Sequence, residues 1–177
     1  MRALLLAALL PTICSGQAYE RVQVIRTDTT KSPQQMYALA KRWFVDTYKD
    51  ARAVIEYEDP ATLTIIGNGS MPYNPVIFSG SDGRRGSIKY TLEIAFKPGR
   101  CRVRIGNYVH TSSYALGSIL ADTLVCSDAS AYRGLGGGTK FLSRVCMEEV
   151  FPMIKGNEEA ILHSLDAALR AAKDDDW

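Results

Sequence analysis

Residues 86–105, GSIKYTLEIAFKPGRCRVRI, alternate so strictly that they leave the chain little choice of fold. Ile88, Tyr90, Leu92, Ile94 and Phe96 take every second position against Lys89, Thr91, Glu93, Ala95 and Lys97. A period of two buries one face of a strand and leaves the other wet, as in an antiparallel sheet covered on one side. KPGR (Lys97 to Arg100) turns the chain, and Cys101, Val103 and Ile105 then alternate with Arg102 and Arg104. A two-residue loop at Pro98-Gly99 sets Phe96 opposite Cys101, Ile94 opposite Val103 and Glu93 opposite Arg104, and each pair matches in kind. Proline is not the favoured residue of such a loop, so a register one residue away is the alternative.

The rest of the chain supplies neighbours and a cover for this hairpin. YERVQVIRT (Tyr19 to Thr27) reads as a strand with Val22, Val24 and Arg26 on one face and Gln23 and Ile25 on the other. Ser32, Pro33 and Gln35 write a helix start: an N-cap, a proline at the first helical position, and the glutamine of a capping box. The helix runs from Pro33 to about Tyr48, with Met36, Leu39, Ala40, Trp43, Phe44 and Thr47 in one stripe that predicts packing on a sheet. In AVIEYED the period returns to two, with Ile55 and Tyr57 on one face and Val54, Glu56 and Glu58 on the other. DPAT is a turn, LTIIG the return strand, and Gly67 and Gly69 indicate a bulge or sharp exit. Two prolines make MPYNPVIFSG (Met71 to Gly80) an edge strand or extended loop. Residues 114–138 read as an irregular excursion and a glycine-rich loop. Thr139 caps a helix carrying Phe141, Leu142, Val145 and Cys146, which Pro152 kinks or ends. Asn157 caps a last helix with Ile161, Leu165, Ala168, Leu169 and Ala172 on one side. Strands that come as hairpins, with helices for one face, predict an α+β fold: an antiparallel sheet covered on one face by helices.

Of the 177 residues, 46% are hydrophobic and 23% charged, which fits one globular domain, assigned to residues 17–173 with an acidic tail at 174–177. Met1-Arg2, the apolar run Ala3 to Leu10, Pro11 and CSGQA read as an export signal over residues 1–16. Cleavage after Gly16 is preferred to cleavage after Ala18. The apolar run falls well short of the ~20 residues that span a bilayer. Ile13 is too bulky for a lipoprotein box at Cys14, so lipid anchoring there is disfavoured. The expected location is periplasmic or secreted. The chain has 21 basic and 19 acidic residues; the first sixteen hold one arginine and no acid, leaving 20 against 19. So balanced a charge offers nucleic acid no general attraction. Export leaves Cys101, Cys126 and Cys146, of which Cys126 and Cys146, flanking the glycine-rich loop, are the preferred disulfide; three buried thiols are the alternative. No cysteine or histidine spacing fits zinc, and no cofactor is expected.

YERVQVI, MYALAKRWFVDTYKDARAVIEYEDPATLTIIGNGS and IKYTLEIAFKPGRCRVRIGNYVH together resemble a family of exported bacterial proteins, domain of unknown function 4468, with a TATA-box-binding-protein-like (TBP-like) fold. The resemblance covers roughly Tyr19 to His110. It implies a curved sheet backed by helices and implies no activity, catalytic residue or cofactor.

The chemistry legible in the residues is sparse. A DNA saddle needs basic residues and intercalating wedges on the exposed sheet face; Lys89, Lys97, Arg102 and Arg104 fall there, but Glu93 interrupts them and the export signal opposes this reading. His110 with Ser112, Ser113 or Cys126, and Asp122 as orienter, could be assembled into a hydrolase or thiol site, yet no G-x-S-x-G signature supports it. His163 sits in a helical pattern. Gly134 to Lys140 lacks the P-loop order of residues. Glu56, Glu58 and Asp59 are explained by an alternating polar face. The expectation is a non-enzymatic module of the cell envelope that binds another envelope protein or a small ligand through its sheet face or loops, with a hydrolase at His110 as the alternative.

Overall fold

The Ser32 capping box forms as its residues dictate. Ser32 N–H donates to Gln35 Oε1 at 2.8 Å and Gln35 N–H to Ser32 Oγ at 3.2 Å. Behind it helix α1 runs Pro33–Tyr48. The computed structural model describes residues 18–27, 30–48, 54–77, 82–120 and 143–171. Within these, β1 (Glu20–Arg26) precedes α1, and β2 (Ile55–Asp59), β3 (Thr64–Tyr73), β4 (Gly86–Lys97), β5 (Arg100–Thr111) and the short β6 (Gly117–Ser118) follow it. A π-turn over Cys146–Val150 leads into helix α2 (Phe151–Arg170). The strands form one antiparallel sheet in the order β1-β5-β4-β3-β2, with β6 beside β5. This is the expected α+β architecture, with α1 and α2 on one face.

The central hairpin has the register its side chains call for. Phe96 pairs with Cys101, Ile94 with Val103 and Glu93 with Arg104, and Gly99 closes the loop at φ 70°. Alternation ends at Asn107 (φ 54°), where β5 holds one more residue than β4. Cys101, Val103 and Ile105 face the helices before this bulge; Tyr108 and His110 do so after it.

The core forms where α1 and α2 meet the sheet. Met36, Ala40, Trp43 and Phe44 are buried, as is Tyr37, which the helical stripe omitted; Thr47 is exposed. Trp43 Nε1–H donates to Ser164 Oγ at 3.2 Å and ties α1 to α2. Ile154, Ile161, Leu165 and Leu169 bury the inner side of α2.

Four local expectations change. Gly67 and Gly69 make no bulge: β3 passes straight through them and Pro72 to Tyr73. A Cβ at Gly67 would meet Phe44 Cε1 at 2.9 Å, and one at Gly69 would meet Tyr90 Cζ at 2.1 Å, so the glycines make room for rings. Pro72 is tolerated because β2 pairs only with Thr64, Ile65, Ile66 and Gly67, leaving β3 an edge farther along. The bulge lies instead in β2, between Ile55 and Tyr57, so these two side chains fall on opposite faces. Finally, of the kink or end expected at Pro152 the end does not occur, and Asn157 does not start a helix. The Phe151 N–H bonds to the Cys146 carbonyl in a widened turn, which accommodates the proline ring and its missing donor one residue later. Residues 114–138 contain strand β6; residues 121–142, with Thr139, Phe141 and Leu142, lie outside the described residues, as do Ala172, the 1–16 segment and the 174–177 tail.

Candidate functional site

Both described helices pack on one side, so among the described residues no element covers the other, open face of the sheet. Its central row, read across the register, is Val22, Arg104, Glu93, Ile66 and Tyr57; the next is Val24, Arg102, Ala95, Thr64 and Asp59. Val22, Val24 and Tyr57 are 48%, 49% and 51% exposed. The charges in the middle neutralise one another. Arg102 Nη2 donates to Glu93 Oε1 at 2.9 Å, and Arg104 lies 3.9 Å from both Glu93 and Glu20. Lys89 and Lys97 also lie on this face, and Glu93 interrupts the basic residues as expected. At the hairpin end, a hollow of about 300 Å³ is lined by Val24, Ala95, Lys97, Arg100 and Arg102. Other hollows are grooves along the two sheet edges: about 530 Å³ between α1 and β2, and about 520 Å³ between β1 and α2.

The polar groups beneath the sheet are spent on the fold. His110 is buried; its Nδ1 accepts the Leu116 N–H at 2.9 Å, so the proton sits on Nε2, which faces the Arg84 carbonyl at 3.1 Å. Burial lowers its pKa, and with both ring nitrogens held by backbone it has no free lone pair to act as a base. Ser113 is exposed, while Ser112 Oγ is buried without a partner and makes no bond to the imidazole. Cys126 and Asp122 lie outside the described residues, as does the Gly134 to Lys140 loop. The hydrolase arrangement thus loses its base. Cys101 is a free, buried thiol and Cys146 is disulfide-bonded; its expected partner Cys126 is outside the described residues. Glu58 pairs with Lys41 of α1 at 2.7 Å, and Asp59 caps its own turn through the Ala61 N–H and Thr62 hydroxyl. Those carboxylates are structural. His163 is exposed on α2. Among the described residues no group of acids, histidines or cysteines could hold a metal, and no helix is long and apolar enough to cross a membrane.

One cluster escaped the sequence reading. Glu158 is fully buried on the inner side of α2, receiving Tyr108 Oη–H at 2.9 Å and Tyr19 Oη–H at 3.3 Å, with Arg21 Nη1 at 3.6 Å. Burial pushes its carboxyl above the ordinary range despite these partners. Its position between Ile154 and Ile161, one acid within an apolar stripe, is the signal that points to it. Glu149 is a second anchor: it accepts Tyr73 Oη–H at 2.6 Å, the Val76 N–H at 2.9 Å and the Ile77 N–H, tying the segment after β3 to the π-turn.

Known proteins place this architecture. Comparison with curated proteins finds no match. A DUF4468 family protein from Bacteroides ovatus ATCC 8483 shares 15% identity over 89% of each chain, with a TM-score of 0.53. A TBP-like protein from Parabacteroides distasonis ATCC 8503 shares 12% identity over 88% of this chain and 95% of its own, also with a TM-score of 0.53. At such identities the likeness shows the fold alone. The model of the family described as domain of unknown function (DUF4468) with TBP-like fold matches residues 22–111, and the chain belongs to that family.

Proposed function

We propose that the chain is an exported, non-enzymatic binding module of the cell envelope, and that its open sheet face receives a protein partner. The observation that carries this is the composition of that face. Val22, Val24 and Tyr57 stay in water around a centre where Glu20 and Glu93 pair with Arg102 and Arg104. Apolar side chains beside satisfied charges suit a protein surface of mixed character. The hollows described on this face and along its edges are open grooves, which favour a protein over a small ligand. The balanced charge weighs against nucleic acid. Export is supported by the Met1 to Leu10 segment and by a disulfide at Cys146, which suits an oxidising compartment.

The experiment is cross-linking and affinity capture from envelope extract with the parent, with Arg104→Glu on the open face, and with Ala160→Lys on exposed α2. The reading expects one protein captured by the parent and by Ala160→Lys, and lost with Arg104→Glu. Equal capture by all three, or none by the parent, would overturn it.

A further inference from the structure

The two edges of the sheet are built in opposite ways. β2 is five residues long, bulged between Ile55 and Tyr57, and carries Glu56, Glu58 and Asp59. Shortness, a bulge and charge are the usual devices that stop an edge strand from recruiting another strand. β1 is longer and unbulged, and its charges, Glu20, Arg21 and Arg26, stand at its two ends and leave Val22, Gln23 and Val24 uncharged between them. Its seven residues pair with β5 in unbroken register and contain no proline or lysine. Val22 and Val24 are half exposed. Gln23 faces the helix side yet is also exposed, beside the groove of about 520 Å³ that separates β1 from α2.

Among the described residues the outer backbone of β1 is open as well. The Tyr19 N–H bonds to Ile119 O at 3.0 Å and the Thr27 N–H to Gly99 O at 3.0 Å, so odd-numbered residues point into the sheet. Successive residues alternate in this respect, and the N–H and C=O groups of Glu20, Val22, Val24 and Arg26 point outward. Of these, the Arg26 carbonyl is taken by Arg170 Nη2 at 2.9 Å.

The sequence ERVQVIR is complementary to itself when run antiparallel. With Gln23 opposite Gln23, Val22 meets Val24 and Glu20 meets Arg26, each twice. That register sets outward-pointing residues opposite one another, as a hydrogen-bonded pair requires. Moving the axis to Val22 or Val24 keeps the hydrogen bonding but sets Glu20 or Arg26 against a valine. Arg26 makes no ion pair among the described residues, and Glu20 has only Arg104 at 3.9 Å.

We infer that two copies of the chain join through β1, antiparallel about a two-fold axis at Gln23, into one continuous sheet. Such an isologous contact closes on itself and abolishes the unprotected edge. The open faces of the two copies then form a single surface of twice the width.

Sedimentation equilibrium of the purified protein tests this, with circular dichroism melts confirming that each variant folds. The parent is expected to dimerise. Val24→Pro removes an outward N–H and no donor of the β1–β5 ladder, and it should weaken association by about tenfold or more. Glu20→Arg and Arg26→Glu each oppose like charges in a homodimer, so each alone should weaken association by a similar factor, roughly tenfold. An equimolar mixture of the two restores both opposite-charge pairs and should recover the parent affinity. A parent that stays monomeric up to about 1 mM would overturn the inference. So would a Val24→Pro dimer of unchanged strength, or a mixture that associates no better than its components.

Discussion

The outer end of the Tyr90 ring lies against Gly69 on the neighbouring strand, at the spot where any other residue would carry its Cβ. Tyr90 reaches on to Tyr48 of α1, hydroxyl to hydroxyl at 3.1 Å. Gly69→Ala must therefore displace the ring and break that contact. The cost expected from overpacking is roughly 1–3 kcal/mol, read as a lower midpoint in denaturant at unchanged slope. An alanine variant as stable as the parent would show that the ring has room to move.

Trp43 carries a similar prediction with a different cause. Its indole fills the junction of α1 with α2 and donates to Ser164. Trp43→Ala leaves a cavity and takes the indole donor from Ser164, for an expected loss of roughly 3–5 kcal/mol. Ser164→Ala removes that hydrogen bond and the one Ser164 donates to the Ile161 carbonyl at 3.1 Å, leaves the ring in place, and should cost about 1 kcal/mol in the same melts.

Glu158 makes stability depend on pH in a direction opposite to that of most carboxylates. Its folded form keeps the proton to a higher pH than the ordinary 4.5. Above 4.5 the unfolded chain gives up this proton while the native chain holds it, so stability is complete below that value and falls as pH rises through the window. Glu158→Gln keeps an acceptor for Tyr108 and has nothing to titrate. Urea melts across the window should show a fall in the parent that is smaller in the variant; parallel curves would contradict the assignment.

Cys101 should be chemically silent in the native protein. Burial pushes its thiol up to about 12, and the side chain is shielded beneath the β4–β5 hairpin. Alkylation at about pH 8, mapped by mass spectrometry, should modify Cys101 only at the rate of global unfolding. Labelling at the rate of a free thiol would mean that the hairpin end opens on its own.

What could be read in advance was local in origin. Ser32 and Gln35 lie three residues apart, and the 96–101 register depends on one tight loop, so both were legible. Gly67 and Gly69 were not, because Phe44 and Tyr90, which demand them, arrive from other elements. Pro152 pointed to a kink or a helix end, since nothing in its neighbours shows that the preceding turn widens to take it. The β2 bulge was hidden because strict alternation of IEYED assumes a flat partner, and Tyr57 turned to the open face as a result. On that open face the charges were legible from period alone, while the Glu158 cluster needed three segments brought together.

The extra residue at Asn107 sets the phase of everything that follows it in β5. A chain lacking that one residue would keep its hairpin, its arginines and its apolar content. Tyr108 and His110 would nevertheless turn to the solvent, Glu158 would lose its closest hydroxyl, and the Leu116 N–H would lose its acceptor. A single deletion, neutral in composition, would thereby detach α2 from the sheet more thoroughly than most substitutions in the core.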